Sequence, residues 1–148
     1  MYLPLKGYER FKVWRKRTGI EHKHITSVCG ELSKNTISKW QTGKNKPNEM
    51  FRRRLHLLSK KLAPVDEYRL VLTPLSWACT TKTLLYTGEA LMIWRDRHGK
   101  SIRTFAKELG ISTGQLCEIE TGNMPSLDVR ARIDDKTNGY IPLEDWVD

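Results

Sequence analysis

The stretch 33–43, SKNTISKWQTG, reads as one short helix with a buried side and a polar, cationic side. Ser33 is a good N-cap, because its hydroxyl can accept from an orphan amide of the first turn, and Gly43 supplies the backbone freedom that ends a helix. Ile37 and Trp40 are three apart and so share the face that anchors it. Lys34, Asn35, Thr36, Ser38 and Lys39 are left outward. Lys donates to guanine and Asn pairs bidentately with adenine in the major groove, so this face has the chemistry of a DNA reader. Taken alone, the stretch reads better as a solvated helix face.

Working outward, residues 7–18 place Phe11 and Trp14 on a helical period among Arg10, Lys12, Arg15, Lys16 and Arg17, and Gly19 closes that helix. A weaker helix follows over 21–29, with Ile25 and Cys29 four apart as its inward stripe. Gly30 and Glu31 break the chain before Ser33. Two short helices joined by a glycine-containing turn make a helix-turn-helix pattern. Beyond Gly43, Lys44, Asn45 and Lys46 lead to Pro47 and a helix over 48–62, with Phe51, Leu55, Leu58 and Leu62 as its stripe. The pattern changes over 63–86. EYRLVLT (67–73) alternates like a strand, TTKTLLY (80–86) is rich in β-branched residues, and Pro74 lies between. The expectation is a short hairpin within a linker, with extended chain or a poor helix as alternatives. Trp77, Leu75, Leu84 and Leu85 are left as an apolar set suited to a dimer contact.

The second half restates the first. GEALMIWRDRHG (88–99) matches YERFKVWRKRTG (8–19), so that Leu91, Trp94, Arg95 and Gly99 repeat Phe11, Trp14, Arg15 and Gly19. STGQLCEIETG (112–122) matches 33–43, so that Leu116 and Ile119 repeat Ile37 and Trp40. The first copy has one extra residue, which falls in the turn at Gly30–Glu31 and keeps Ile25 aligned with Phe105 and Cys29 with Leu109.

The segment 99–122, GKSIRTFAKELGISTGQLCEIETG, resembles the helix-turn-helix of the Cro/cI-like (XRE) regulators of phages and bacteria. It carries the GxS opening, the small Ala106, the turn Gly110-Ile111-Ser112 and the closing Glu120-x-Gly122. The tail SLDVRARIDDKTNGYIPLEDWVD is similar to the last helices of small Cro-type repressors. The resemblance covers residues 7–62 and 87–147. It implies an all-α chain of two tandem lambda-repressor-like bundles: a basic domain at 1–63, a linker at 64–86 and an acidic domain at 87–148. It also implies that the second helix of each copy lies across phosphates while the third enters the major groove. Carried over by position, base contacts fall on Lys34, Asn35, Thr36 and Lys39, and phosphate contacts on Lys23, Ser33, Lys44, Asn45 and Lys46. The second copy offers Ser101, Arg103, Thr113, Gln115 and Glu118 as weaker equivalents, with Gly114 lacking any side chain to read with. Arg95 and Glu120 occupy the positions of an ion pair between the first and third helices; their counterparts are Arg15 and Gln41.

Charge separates the halves. Residues 1–63 hold 16 Lys and Arg against 4 acids, whereas 64–148 hold 10 against 13. The first half is the polyanion binder, since phosphate contacts supply affinity and its salt dependence. Cys29, Cys79 and Cys117 include no CxxC pair, which argues against a disulfide framework or a zinc ribbon and for a reducing compartment. No run of about 18 apolar residues and no signal-like apolar stretch at the N-terminus appears, so membrane association is not expected. His22, His24, His56 and Cys29 do not make a metal set, and Asp134 and Asp135 read as a helix end. No catalytic motif is present, and neither enzyme activity nor a cofactor is expected.

The function expected is a sequence-specific transcription regulator, encoded by a phage or mobile element and acting in the cytoplasm of a bacterial host. Its partner is double-stranded DNA. RNA polymerase or another protein is a further candidate partner for the acidic half, and a homodimer is an open possibility. The alternative is an interaction protein of antitoxin or host-takeover type whose acidic half docks a protein.

Overall fold

A computed structural model of the chain describes residues 1–30 and 32–146. The described residues are mostly helical with one two-stranded sheet: β1 (Tyr2–Leu5), α1 (Gly7–Thr18), α2 (His22–Cys29), α3 (Lys34–Thr42), α4 (Glu49–Leu62), a 3-10 turn (Pro74–Trp77), β2 (Thr81–Leu84), α5 (Thr87–Arg97), α6 (Ile102–Leu109), α7 (Thr113–Glu120), α8 (Leu127–Lys136) and a 3-10 turn (Leu143–Asp145). Packing divides the chain into an N-terminal unit, Tyr2–Leu84, and a C-terminal unit, Leu85–Asp148 together with Met1.

In the N-terminal unit the aromatic residues of α1 and α3 form the centre. Phe11 stacks on Trp14 at 5.9 Å and meets Trp40 edge-on at 6.2 Å. Ile25 and Cys29 are fully buried, as are Ile37 and Leu55 to within 1%. The α4 stripe stops sooner than expected: Phe51 packs on Trp40 at 5.6 Å and Leu58 is buried, but Leu62 is exposed. Of the turn before α3, Gly30 has φ +104°, a value few residues with a side chain tolerate, and Glu31 lies outside the described residues.

The hairpin expected within 67–86 does not form. Residues 67–73 form no strand, and β2 pairs antiparallel with β1 instead, Leu3 opposite Thr83 and Tyr2 opposite Leu84. The reason lies in where the backbone of 68–72 finds its partners. Arg17 Nη1 donates to the Tyr68 carbonyl (2.6 Å), Arg10 Nη2 to the Val71 carbonyl (2.8 Å), and the Leu72 amide donates to Ser59 Oγ (2.8 Å). Side chains of α1 and α4 thus replace a ladder, and Leu70 and Leu72 plug into the core beside them. Pro74 opens a 3-10 turn that buries Trp77 against Phe11 at 5.5 Å. Of the four apolar residues suited to a dimer contact, Trp77 and Leu85 are core and Leu75 is broadly exposed.

The C-terminal unit repeats α1–α4 in α5–α8, and its core residues Leu91, Phe105, Leu109, Leu116 and Ile133 are buried. Equivalence extends to polar details. Glu9 Oε1 accepts from the Lys6 amide and Glu89 Oε1 from the Tyr86 amide, both at 2.9 Å. Arg54 donates to the Cys29 carbonyl (2.6 Å) as Arg132 does to that of Leu109 (3.0 Å). Arg52 Nε donates to the Pro47 carbonyl (2.7 Å) as Arg130 Nε does to that of Pro125 (2.8 Å). The repeat therefore runs through α4 and α8, where apolar spacing alone did not reveal it. No helix among the described residues is long and apolar enough to cross a membrane.

The three thiols report on this packing. Cys29 is buried, and burial raises its pKa, while Cys79 and Cys117 are exposed. Reactivity follows the accessible thiolate. An alkylating reagent at neutral pH is expected to modify Cys79 and Cys117 promptly and Cys29 only when the N-terminal unit opens, a difference that intact-mass measurement resolves.

Candidate nucleic-acid interface

Helix α3 is held by both ends and by one face. Ser33 Oγ accepts from the Thr36 amide (3.1 Å) and lies 2.9 Å from Thr36 Oγ1. At the other end Gly43 adopts φ +79°, where a Cβ would come within 2.8 Å of the Tyr8 ring, so only glycine fits without moving that ring. Ile37 and Trp40 face the core. The opposite side presents Lys34, Asn35 and Ser38 to solvent, with Thr36 and Lys39 half-buried at its margins.

The structure thus gathers Lys34, Asn35, Thr36 and Lys39 on one short helix. It also shows that Thr36 and Ser33 are engaged with each other, so their hydroxyls are less free than the lysine ammonium groups. Lys44, Asn45 and Lys46 follow directly and are exposed, and the Asn45 amide donates to the Lys39 carbonyl (3.3 Å), tying this loop to the helix end. Lys23, near the start of α2, is exposed and sits 3.5 Å from Glu21. That surface pair is worth little and gives way to a phosphate readily.

Much of the remaining positive charge is committed elsewhere. Arg10, Arg17, Arg52 and Arg54 donate to backbone carbonyls within the unit. Their role is to join elements. For two of them a signal is present in the repeat, since Arg52 and Arg54 recur as Arg130 and Arg132.

In the C-terminal unit α7 is also well capped, but its outward chemistry differs. Ser112 Oγ accepts from the Gln115 amide (3.1 Å) while Gln115 Oε1 accepts from the Ser112 amide (2.9 Å), so Gln115 is occupied as a capping residue. Thr113, Gly114 and Glu118 are exposed. Ser101 caps α6 through the Thr104 amide (3.1 Å), and Arg103 is exposed on its first turn. Where the N-terminal unit carries Lys44–Lys46, this unit carries Asn123 and an exposed Met124.

The joint between the first and third helices also differs. Arg95 Nε and Nη2 grip Glu120 at 2.8 and 3.0 Å, both side chains being almost wholly buried. Burial lowers the Arg95 guanidinium, and the hydrogen bonds and charge of Glu120 more than reverse this. Among the described residues Arg15 meets only the Gln41 amide oxygen and, at 3.4 Å, the Ile20 carbonyl, and its Nε is buried without a partner there. Desolvation lowers its pKa.

Comparison with protein-family models, with curated proteins and with solved structures finds no match to this chain.

Proposed function

We propose that the chain is a DNA-binding transcription regulator of two tandem helix-turn-helix bundles, in which α3 enters the major groove and Lys44–Lys46 grip the adjoining phosphates. One observation carries the reading: Ile37 and Trp40 fasten α3 to the core so that Lys34, Asn35 and Lys39 emerge together, on the unit with the large positive excess. Helix α2 precedes it across a glycine turn, which is the arrangement that lays one helix over the backbone and the next into the groove. Regulation then follows from occupancy of an operator in the bacterial cytoplasm, by excluding polymerase or by touching it.

The test is to select bound sequences from random DNA with the wild-type chain and then measure the K34A/N35A/K39A variant on the selected site. Each good base contact is worth about 1–3 kcal/mol, so affinity is expected to fall by roughly 100-fold or more, with circular dichroism unchanged. Undiminished affinity for the selected site would end the reading.

A second reading concerns the C-terminal unit alone. Gly114 and Glu118 stand where α3 has Asn35 and Lys39, and Met124 and Leu127, which follow α7 in the chain, add exposed apolar surface. These substitutions favour a protein partner over phosphates. Alanine at Thr113, Gln115 and Glu118 separates the two: a shortened footprint means that α7 also reads DNA, and an unaltered one leaves it to a protein, as in an antitoxin or a host-takeover factor.

A further inference from the structure

We infer that Arg15 and Gln41 are positioning residues that set the charge beneath α3: by meeting a half-buried guanidinium with a neutral amide, the N-terminal unit keeps a positive charge under its reading helix that the C-terminal unit cancels under α7. The inference rests on the DNA-binding reading of α3 and explains why that helix rather than its counterpart is the polyanion binder.

The chain supplies its own control. Arg15 and Arg95 lie at equivalent places in α1 and α5, and each sends a donor to an equivalent loop carbonyl, Ile20 at 3.4 Å and Lys100 at 2.9 Å. Around Arg95 the neighbours are acidic, Glu120 taking two donors and Asp96 lying 3.3 Å from Nη1. The residues at those two places in the first copy are Gln41 and Lys16. Exchange of Glu for Gln adds one positive unit and exchange of Asp for Lys adds two. Among the described residues Arg15 has no carboxylate partner, and its Nε is left unsatisfied.

Two effects then oppose each other. A carboxylate at position 41 makes a better joint, because it satisfies two donors and pairs the charge. It also cancels a positive charge on the inner side of the helix proposed to meet phosphates, a charge whose field reaches over a Debye length of about 8–10 Å. If firmness of the joint governed binding, Gln41→Glu would bind DNA more tightly. If the charge governs, the same variant binds more weakly although it is more stable. Gln41→Met removes the acceptor but keeps the charge, so it moves stability in the opposite direction from Gln41→Glu.

The experiment uses the full-length wild type, Q41E and Q41M, with a mixed-sequence DNA duplex as probe across a series of salt concentrations and thermal unfolding in parallel. Q41E is expected to raise the unfolding temperature of the N-terminal unit, weaken duplex binding by about 3–10-fold at low salt, and flatten the dependence of log Kd on log salt. Q41M is expected to lower the unfolding temperature and keep the wild-type salt slope. Q41E binding as tightly as wild type, or more tightly, with the slope unmoved overturns the inference while the DNA reading stands. A wild-type chain with no salt-dependent duplex binding overturns both.

Discussion

Glu120→Ala is expected to unfold the C-terminal unit at temperatures where the N-terminal unit remains native. The Glu120 carboxylate is almost fully buried and holds two donors of Arg95, itself buried. Removing the acid leaves a guanidinium in the interior with two donors unmet and only Asp96, 3.3 Å from Nη1, to balance its charge, a loss of about 3–5 kcal/mol. A unit of this size has little stability beyond that figure, because small domains bury too small a share of their surface. Hydrogen exchange on the intact chain checks the result: amides of α5–α8 should lose protection while those of α1–α4 keep theirs. The double change R95M/E120L should recover a large part of the loss, since two apolar residues carry no desolvation cost. Retained protection in E120A would show that the pair is not what fastens α5 to α7.

Gly88→Ala should be nearly as severe, for a steric reason. A Cβ at Gly88 would stand 2.2 Å from the Ile119 carbonyl oxygen and 3.2 Å from its carbon. Both atoms are backbone, so no side chain can swing aside, and α5 must back away from α7. Overpacking of this kind costs typically 1–3 kcal/mol, and more where the neighbour cannot yield. Gly99→Ala is the matched control. Its φ of +64° strains any side chain, yet a Cβ there meets nothing within 4 Å, so only the conformational cost of about 1–2 kcal/mol applies. Thermal unfolding should rank Gly88→Ala well below Gly99→Ala, and equal losses would mean that the close approach of α5 to α7 is unimportant.

The helices of this chain were legible because their signals are local. Ser33, Ser101 and Ser112 sit where a cap hydroxyl meets its amide, and Phe11, Trp14, Ile37 and Trp40 mark the faces that bury. The repeat added what periodicity could not, by pairing Ile25 and Cys29 with Phe105 and Leu109 in a helix of otherwise weak propensity. What failed was non-local. The partner of β2 lies near the opposite end of its unit, and nothing in TTKTLLY identifies YLPL as its mate. The alternation in EYRLVLT was real, since Leu70 and Leu72 do point inward, but extended chain needs no strand partner when arginines satisfy its carbonyls. Basic composition misled in a related way: an arginine on a helix looks the same in sequence whether it faces phosphate or clamps a loop. On the candidate interface, sequence named the outward residues of α3 and the Ser33 cap, whereas the contact of the Thr36 hydroxyl with Ser33 and the capping role of Gln115 required coordinates.

The pairing of Tyr2–Leu5 with Thr81–Leu84 also sets a schedule for the newly made protein. Contacts this distant in sequence are slow to reward the chain for closing the loop between them. On a ribosome the delay becomes literal. Helices α1–α4 are complete once Leu62 has emerged, but the strand that seals them, and the carbonyls that Arg10 and Arg17 clamp, arrive only with residues 63–84, about one to four seconds later at roughly 5–20 residues per second. During that interval a strongly basic, unsealed bundle is presented beside the polyanionic ribosome, and codons that slow translation of 63–84 should lengthen its exposure.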